Sequence, residues 1–176
     1  MRARPSAAAA LLAGAIVAVS LLVPYRTLAA TAGSEWWRLL TSQFVHVYLL
    51  HALFNALAVL VIGSQLERRV GAAWFVAAWF VCGTIGQLVA VDLLPTIPAT
   101  GASQAALGVA AMTLVLAIRA RTPRLLIAPL LYIAVQLALD LFFAQRIKLP
   151  HAASLAAGAL AACTHALRRA PLAIRD

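Results

Sequence analysis

Six apolar runs, each about the length a helix needs to cross a bilayer, dominate this sequence: roughly residues 6–24, 46–64, 72–94, 102–119, 125–144 and 150–167. A hydrocarbon core takes about 20 apolar residues per helix, within a range of about 17–25. Of the 176 residues, 64% are hydrophobic and 11% charged, against about 45–50% and about 25% in a soluble domain. A soluble chain of this size has too little interior to hide that much apolar surface. The connections are short, the longest being 25–45, and none is a linker rich in Gly, Ser or Pro. The expectation is therefore a single all-α membrane domain over residues 1–176, built as a six-transmembrane-helix bundle. Pro129 falls inside the fifth run, where neighbours must satisfy the carbonyl it frees.

The formal charge of +9 comes from 14 basic and five acidic residues. The basic residues stand in short groups between apolar runs, without the aromatic interleaving that grips a nucleic acid strand, so no nucleic-acid partner is expected. Lys and Arg concentrate on the cytoplasmic side of membrane proteins. An inside N-terminus puts Arg2, Arg4, Arg68, Arg69, Arg119, Arg121, Arg124, Arg168, Arg169 and Arg175 in the cytoplasm, and Arg26, Arg38, Arg146 and Lys148 outside. That split predicts a multi-pass membrane protein with both termini cytoplasmic, and a bacterial inner membrane is the expected setting. Met1–Ala30 also resembles a secretory signal, with a basic start and small residues at Ala29 and Ala30, but the run Ser6–Val23 is long for a signal core. Cys82 and Cys163 fall within spans and read as packed thiols rather than a disulfide. No ligand cluster accompanies them, so neither a metal nor a cofactor is expected.

Strongly polar side chains inside membrane spans are costly and ask for a reason. Those singled out are His46, His51 and Asn55 around the second run, Ser103 and Gln104 opening the fourth, Asp140 late in the fifth, and His151 and His165 in the sixth. With the N-terminus inside, the second, fourth and sixth runs all start at the outer face. His46, His51, Ser103 and His151 then converge on one depth, and His51 and Asn55, four residues apart, share a helix face. A serine hydroxyl becomes nucleophilic when a neighbouring histidine takes its proton, and acyl transfer needs donors aimed at the developing oxyanion. Ser103 with His151 supplies the first pair, and His51 with Asn55 the second. Asp140 is assigned to Arg146 or Lys148, which leaves a dyad. Gly101-Ala102-Ser103 follows a loop with Pro95 and Pro98, so the serine should open a helix, where unpaired N–H groups and the helix dipole favour negative charge.

Each of these residues also has a plainer reading. Ser103 is a candidate N-cap, His51 a buried anchor between helices, Asn55 an interhelical hydrogen bonder and His151 an interfacial residue at a helix start. His165, near Arg168 and Arg169, is given no chemistry.

Taken together, the residues resemble the rhomboid intramembrane serine proteases, from about Glu35 to Ala162. The resemblance runs through Trp37-Arg38-Leu-Leu-Thr41, His46, His51-Ala-Leu-Phe-Asn55, Gly63, Leu66-Glu67-Arg68-Arg69-Val-Gly71, Gly101-Ala-Ser103 and His151-Ala-Ala-Ser-Leu-Ala-Ala-Gly158. It implies Ser103 as nucleophile and His151 as general base. It implies an oxyanion hole of His51, Asn55 and the Ser103 N–H, with His46 as a structural or water-organising residue. Gly101 belongs to the nucleophile motif, and Gly158, with Ser154 on the same face, would let the fourth and sixth helices approach closely. Trp36-Trp37 would lie in the outer leaflet, and the fifth helix, with Phe142 and Phe143 near its end, would be a lateral gate. The partners implied are the bilayer and transmembrane protein substrates cut near the outer end of their helices.

Two positions depart from the family's pattern: Gln104 stands where glycine usually follows the serine, and Leu107 where an aromatic ring commonly stacks on the histidine. They favour an alternative, a catalytically inactive rhomboid-like protein that binds transmembrane helices. A small transporter or channel would need charged residues near the midplane, and the spans hold almost none.

Overall fold

Ala, Leu and Val carry no side-chain group that competes with the backbone, and in lipid such a run satisfies its own N–H and C=O groups by closing into a helix. The computed structural model describes residues 6–142 and 148–169, and in it each of the six runs is helical. The helices are α1 (Ala7–Leu22), α2 (Leu49–Val70, with a π-helical stretch at Val59–Gly63), α3 (Ala72–Leu93), α4 (Ser103–Arg119), α5 (Ile127–Phe142) and α6 (Lys148–Arg169). Among the described residues the one β-type pairing is an isolated bridge between Ala30 and Ala99. By length and composition three helical stretches are able to cross a membrane: α2, α3 and Pro123–Phe142. The apolar helices α1 and α4 are shorter, at 16 and 17 residues. The described residues therefore support three crossing helices on that criterion rather than the expected six. Arg2, Arg4, Phe143, Arg146 and Arg175, all used in the sequence reading, lie outside the described residues.

Two features fix the bundle. The first is a cap. Glu67, near the end of α2, accepts hydrogen bonds from the first-turn N–H groups of α1, Ala9 to Oε2 at 2.8 Å and Ala8 to Oε1 at 3.3 Å. These donors have no partner within their own helix, and a carboxylate suits the positive end of the helix dipole. The two helices therefore run antiparallel, with Ser20 at the far end of α1 reaching the chain just before α2.

The second is a seam of small residues between α3, α4 and α6. A Cβ on Gly158 would strike the carbonyl oxygen of Gly108, and one on Gly108 would strike the side chain of Cys82. A Cβ on Gly86 would meet Ser154 Oγ and the Gln104 stem. Ser154 donates its hydroxyl to the Cys82 or Pro150 carbonyl, 3.1 Å from each. Backbones approach this closely only where side chains are absent, which is how membrane helices gain packing contact in a medium without a hydrophobic drive. As a result α4 is the central element, with 12 of its 17 residues buried. Of the two free thiols, Cys82 is buried in the seam and Cys163 is exposed.

The long connection between α1 and α2 carries two short helices, Tyr25–Leu28 and Arg38–Thr41, and a 3-10 turn at Ser42–Phe44. Arg38 staples it, donating to the Thr27 carbonyl at 2.7 Å and to Glu35 at 2.9 Å while lying over the Trp37 ring. Trp36 is exposed beside it. The second helix starts at Leu49 rather than at residue 46, because Val45 and Tyr48 are extended, so His46 sits in the connection.

A methyl on Gly158 would have to push α6 off the α4 backbone, and overpacking of this kind costs about 1–3 kcal/mol. Gly158→Ala is expected to lower the midpoint of thermal unfolding in mild detergent by several degrees. Gly14→Ala, whose Cβ would meet nothing within 4 Å, should leave it unchanged or higher.

Candidate active site

The site lies at the end of the bundle where α2, α4 and α6 begin. Gly101 opens it with φ +101°, in the left-handed region that glycine adopts freely. Its N–H donates to the Ser42 carbonyl at 2.9 Å, and its carbonyl accepts from Gln87 Nε2 at 3.1 Å. The turn is thus held from two sides before Ser103 enters α4 as its first residue. Ser103 does not cap the helix: Ala102 occupies the cap position, and no side chain bonds the first turn.

Ser103 Oγ instead stands 2.9 Å from His151 Nε2, and His151 Nδ1 stands 2.6 Å from Asp140 Oδ2. All three residues are at most 3% exposed. An ionised Asp140 accepts from Nδ1–H, which fixes the imidazole tautomer and leaves the Nε2 lone pair facing the serine hydroxyl.

The expected dyad thus gains an acid partner, and among the described residues Asp140 pairs with His151 rather than with Lys148; Arg146, the other expected partner, lies outside the described residues. The reason is hairpin symmetry. Asp140 lies three residues before the connection 143–147 and His151 four residues after it, so two antiparallel helices bring them to one level despite their separation in sequence.

His46 is a second centre. Its Nε2 accepts from the Ala102 N–H and from the Asn55 amide, both at 3.0 Å, and its Nδ1 lies 3.0 Å from Ser20 Oγ. One arrangement satisfies every group: a neutral ring with Nδ1–H donating to Ser20, whose own hydroxyl donates to the Phe44 carbonyl at 3.1 Å. Asn55 is fully buried, and its Oδ1 accepts from the Tyr132 hydroxyl at 2.8 Å. The His51 ring packs edge-on against His46, centroids 5.1 Å apart.

A cavity of about 690 Å³ covers the serine and histidine. Its wall includes His51, Ser103, Gln104, Asp140 and His151 together with the apolar Leu50, Phe54, Val135 and Leu139. Of the two expected oxyanion donors, His51 is therefore in the wall, while Asn55 is held behind it by His46 and Tyr132. Gln104 also faces the cavity, with its Oε1 3.1 Å from Ser103 Oγ. The serine has one hydrogen to give, so Gln104 and His151 compete for it. Leu107 is buried in the core rather than stacked at the site. His165 lies at the other end of α6, its ring against Trp74.

Three contributors went unread in the sequence: Tyr132, Gln136 and Asp140 in this orienting role. The signal was present, because residues 132, 136 and 140 recur every four positions and line one face of an otherwise apolar helix.

The fold and the site together define a helical integral membrane protein that carries a buried serine, histidine and aspartate in hydrogen-bonded series beneath a cavity. The chain belongs to the rhomboid family: the Rhomboid domain matches residues 33–168, well over half of its length. It is 36% identical over 77 residues to rhomboid protease GluP of Bacillus subtilis (strain 168), covering 44% of this chain and 15% of that protein. It is 31% identical over 80 residues to rhomboid-like protease 3 of Toxoplasma gondii, covering 46% of this chain and 30% of that one. It is also 32% identical over 80 residues to inactive RHOMBOID-like protein 8 of Arabidopsis thaliana, covering 46% and 23% respectively. The matches thus span less than a third of each of these relatives. Family and apolar helices together make this a multi-pass integral membrane protein of the rhomboid class.

Replacing His46 by Phe keeps a ring but strands the Ala102 N–H and the Asn55 amide, and a buried donor left unpaired costs about 1–3 kcal/mol. His46→Phe is expected to destabilise the protein in a denaturant titration clearly more than Ser20→Ala, which removes one partly buried hydroxyl.

Proposed function

We propose that this chain is an intramembrane serine endopeptidase that cleaves transmembrane segments of other membrane proteins. The observation that carries the reading is the buried series from Ser103 Oγ to His151 Nε2 at 2.9 Å and from His151 Nδ1 to Asp140 Oδ2 at 2.6 Å. His151 takes the Ser103 proton as the oxygen attacks a scissile carbonyl, and Asp140 stabilises the imidazolium that forms. The developing oxyanion meets the His51 side chain and the Ser103 N–H at the positive end of α4. Asn55 joins them if its second amide hydrogen, not used by His46, turns toward the cavity. The protonated His151 then gives its proton to the leaving amine. Water entering the cavity resolves the acyl-enzyme, with His151 acting as base again.

A helical substrate hides its carbonyls in i→i−4 hydrogen bonds. The segment to be cut must therefore unwind locally, and small helix-weakening residues near the cut are expected. In this reading all six helices span the membrane, both termini are cytoplasmic, and the cavity opens toward the outer face of a bacterial inner membrane.

A specific observation favours a second reading. The amide of Gln104 meets the serine hydroxyl at 3.1 Å, and one relative carries the name of an inactive rhomboid-like protein. In that case the cavity holds transmembrane helices without cutting them.

The test is labelling of the purified protein in mild detergent by a serine-directed fluorophosphonate, which needs no known substrate. The peptidase reading expects labelling that Ser103→Ala and His151→Ala each abolish. It also expects Gln104→Gly to raise the labelling rate several-fold, since His151 then has no rival for the serine hydrogen. Labelling that appears only in Gln104→Gly would instead favour the binding protein.

A further inference from the structure

The fifth long helix is attached to the rest of the molecule along a narrow and unusually polar line. Among the described residues of α5, those buried are Pro129, Tyr132, Gln136 and Asp140. The rest of the helix turns Ile127, Leu130, Leu131, Leu137 and Leu141 outward, all well exposed, as a lipid-facing surface would be. The seam is open on either side of Tyr132. The site cavity runs along Val135, Gln136 and Leu139, and a separate apolar cleft of about 220 Å³ separates Leu131 and Val135 from Leu57 and Val61 of α2. Beside the apolar contacts that Ala128, Tyr132 and Ile133 make with the core, two buried hydrogen bonds hold α5 in place.

One of those bonds ends on the reacting pair, and the other leads by relay to the turn that precedes the serine. Asp140 reaches His151 directly. Tyr132 reaches the serine by relay: its hydroxyl donates to Asn55 Oδ1, the Asn55 amide donates to His46 Nε2, and the same nitrogen accepts the N–H of Ala102, the residue before Ser103. One helix therefore grips the base at one point and the serine's turn at another.

We propose that α5 is the arming element of the site. Tyr132 and Asp140 are positioning residues, and the serine is activated only while α5 is docked. This rests on the peptidase reading and adds an order of events to it. If a substrate helix enters by displacing α5, the displacement withdraws Asp140 from His151 and releases the Tyr132 relay. Entry and attack then cannot coincide, and α5 must close again before the serine reacts. A helix that opens is off, whether or not the cavity is occupied.

The proposal is tested with a small water-soluble fluorophosphonate, which reaches Ser103 through the cavity mouth and does not need α5 to open. Labelling rates are measured from pH 5 to 9 in mild detergent on the whole protein, with thermal unfolding as the check on folding. Soluble Ser–His–Asp hydrolases lose about 10⁴-fold when the carboxylate becomes an amide. Asp140→Asn, nearly isosteric, is expected to lower the rate at neutral pH by at least about 10²-fold and to change the shape of the pH profile, with Asp140→Glu restoring part of both. Loss of helix packing alone would lower the amplitude without reshaping the profile.

Tyr132→Phe is expected to slow labelling several-fold. So is Phe54→Ala, which removes the ring stacked on Tyr132 at 5.3 Å and carries no reacting group. The double variant Tyr132→Phe with Asp140→Asn should be little worse than Asp140→Asn alone, because both act through one helix. Folded variants that label at the wild-type rate or faster would overturn the proposal while leaving the peptidase reading intact. A wild type without Ser103-dependent labelling would overturn both.

Discussion

Ser103 and His151 meet because two helices touch backbone to backbone within two turns of them. Gly158 lies against the Gly108 carbonyl, leaving no room for a side chain on either helix at that level. The helices α4 and α6 leave that contact in parallel, so the residues that open them are neighbours across a gap set by the seam. Gly86 and Cys82 of α3 close the third side, and the stem of Gln104 fits where Gly86 has no side chain. In lipid, where burying apolar groups gives little reason for helices to associate, this three-way contact supplies close packing beside the apolar core. It sets the base of the site, and α5 is the neighbouring helix that does not share it.

The second organising centre is polar. In a dry interior each unsatisfied donor or acceptor is expensive, and His46 answers for several at once: the Ala102 N–H, the Asn55 amide and Ser20. It ties α1, α2 and the turn before α4 together while presenting nothing to a substrate. Asp140 faces the same constraint more severely, since an aspartate within a membrane helix costs about 2.5–3.5 kcal/mol on insertion scales and more on others. Its 2.6 Å bond to His151 gives that buried carboxyl group a partner, so the residue that orients the base is itself satisfied by it.

The all-helical architecture was legible in the sequence, because hydropathy over about 20 residues is a signal that lipid makes strong. The grouping of His46, His51, Ser103 and His151 at one end followed from the alternating direction of the helices alone. What escaped was lateral geometry. Asp140 was read along the chain and assigned to nearby cations, whereas the α5–α6 hairpin folds it back onto His151. Tyr132 and Gln136 were passed over because one aromatic and one amide in an apolar helix look unremarkable singly, and only the four-residue recurrence reveals a face. Asn55 was read as lining the cavity, but the four-residue spacing that puts it on the face of His51 does not fix its depth, and it lies one layer back. Among the described residues three helical stretches are long and apolar enough to cross a membrane, while the apolar α1 and α4 are shorter.

The capping of α1 by Glu67 carries a consequence for how the chain is made. The first-turn amides of Ala8 and Ala9 find their acceptor 59 and 58 residues further along the chain, respectively. During synthesis the first helix is complete in sequence long before that carboxylate has left the ribosome, and in the interval its opening turn must rely on water or on other groups. The opening turn of α1 is therefore among the later parts of this helical pair to reach its native partners, completed only by a residue near the end of α2.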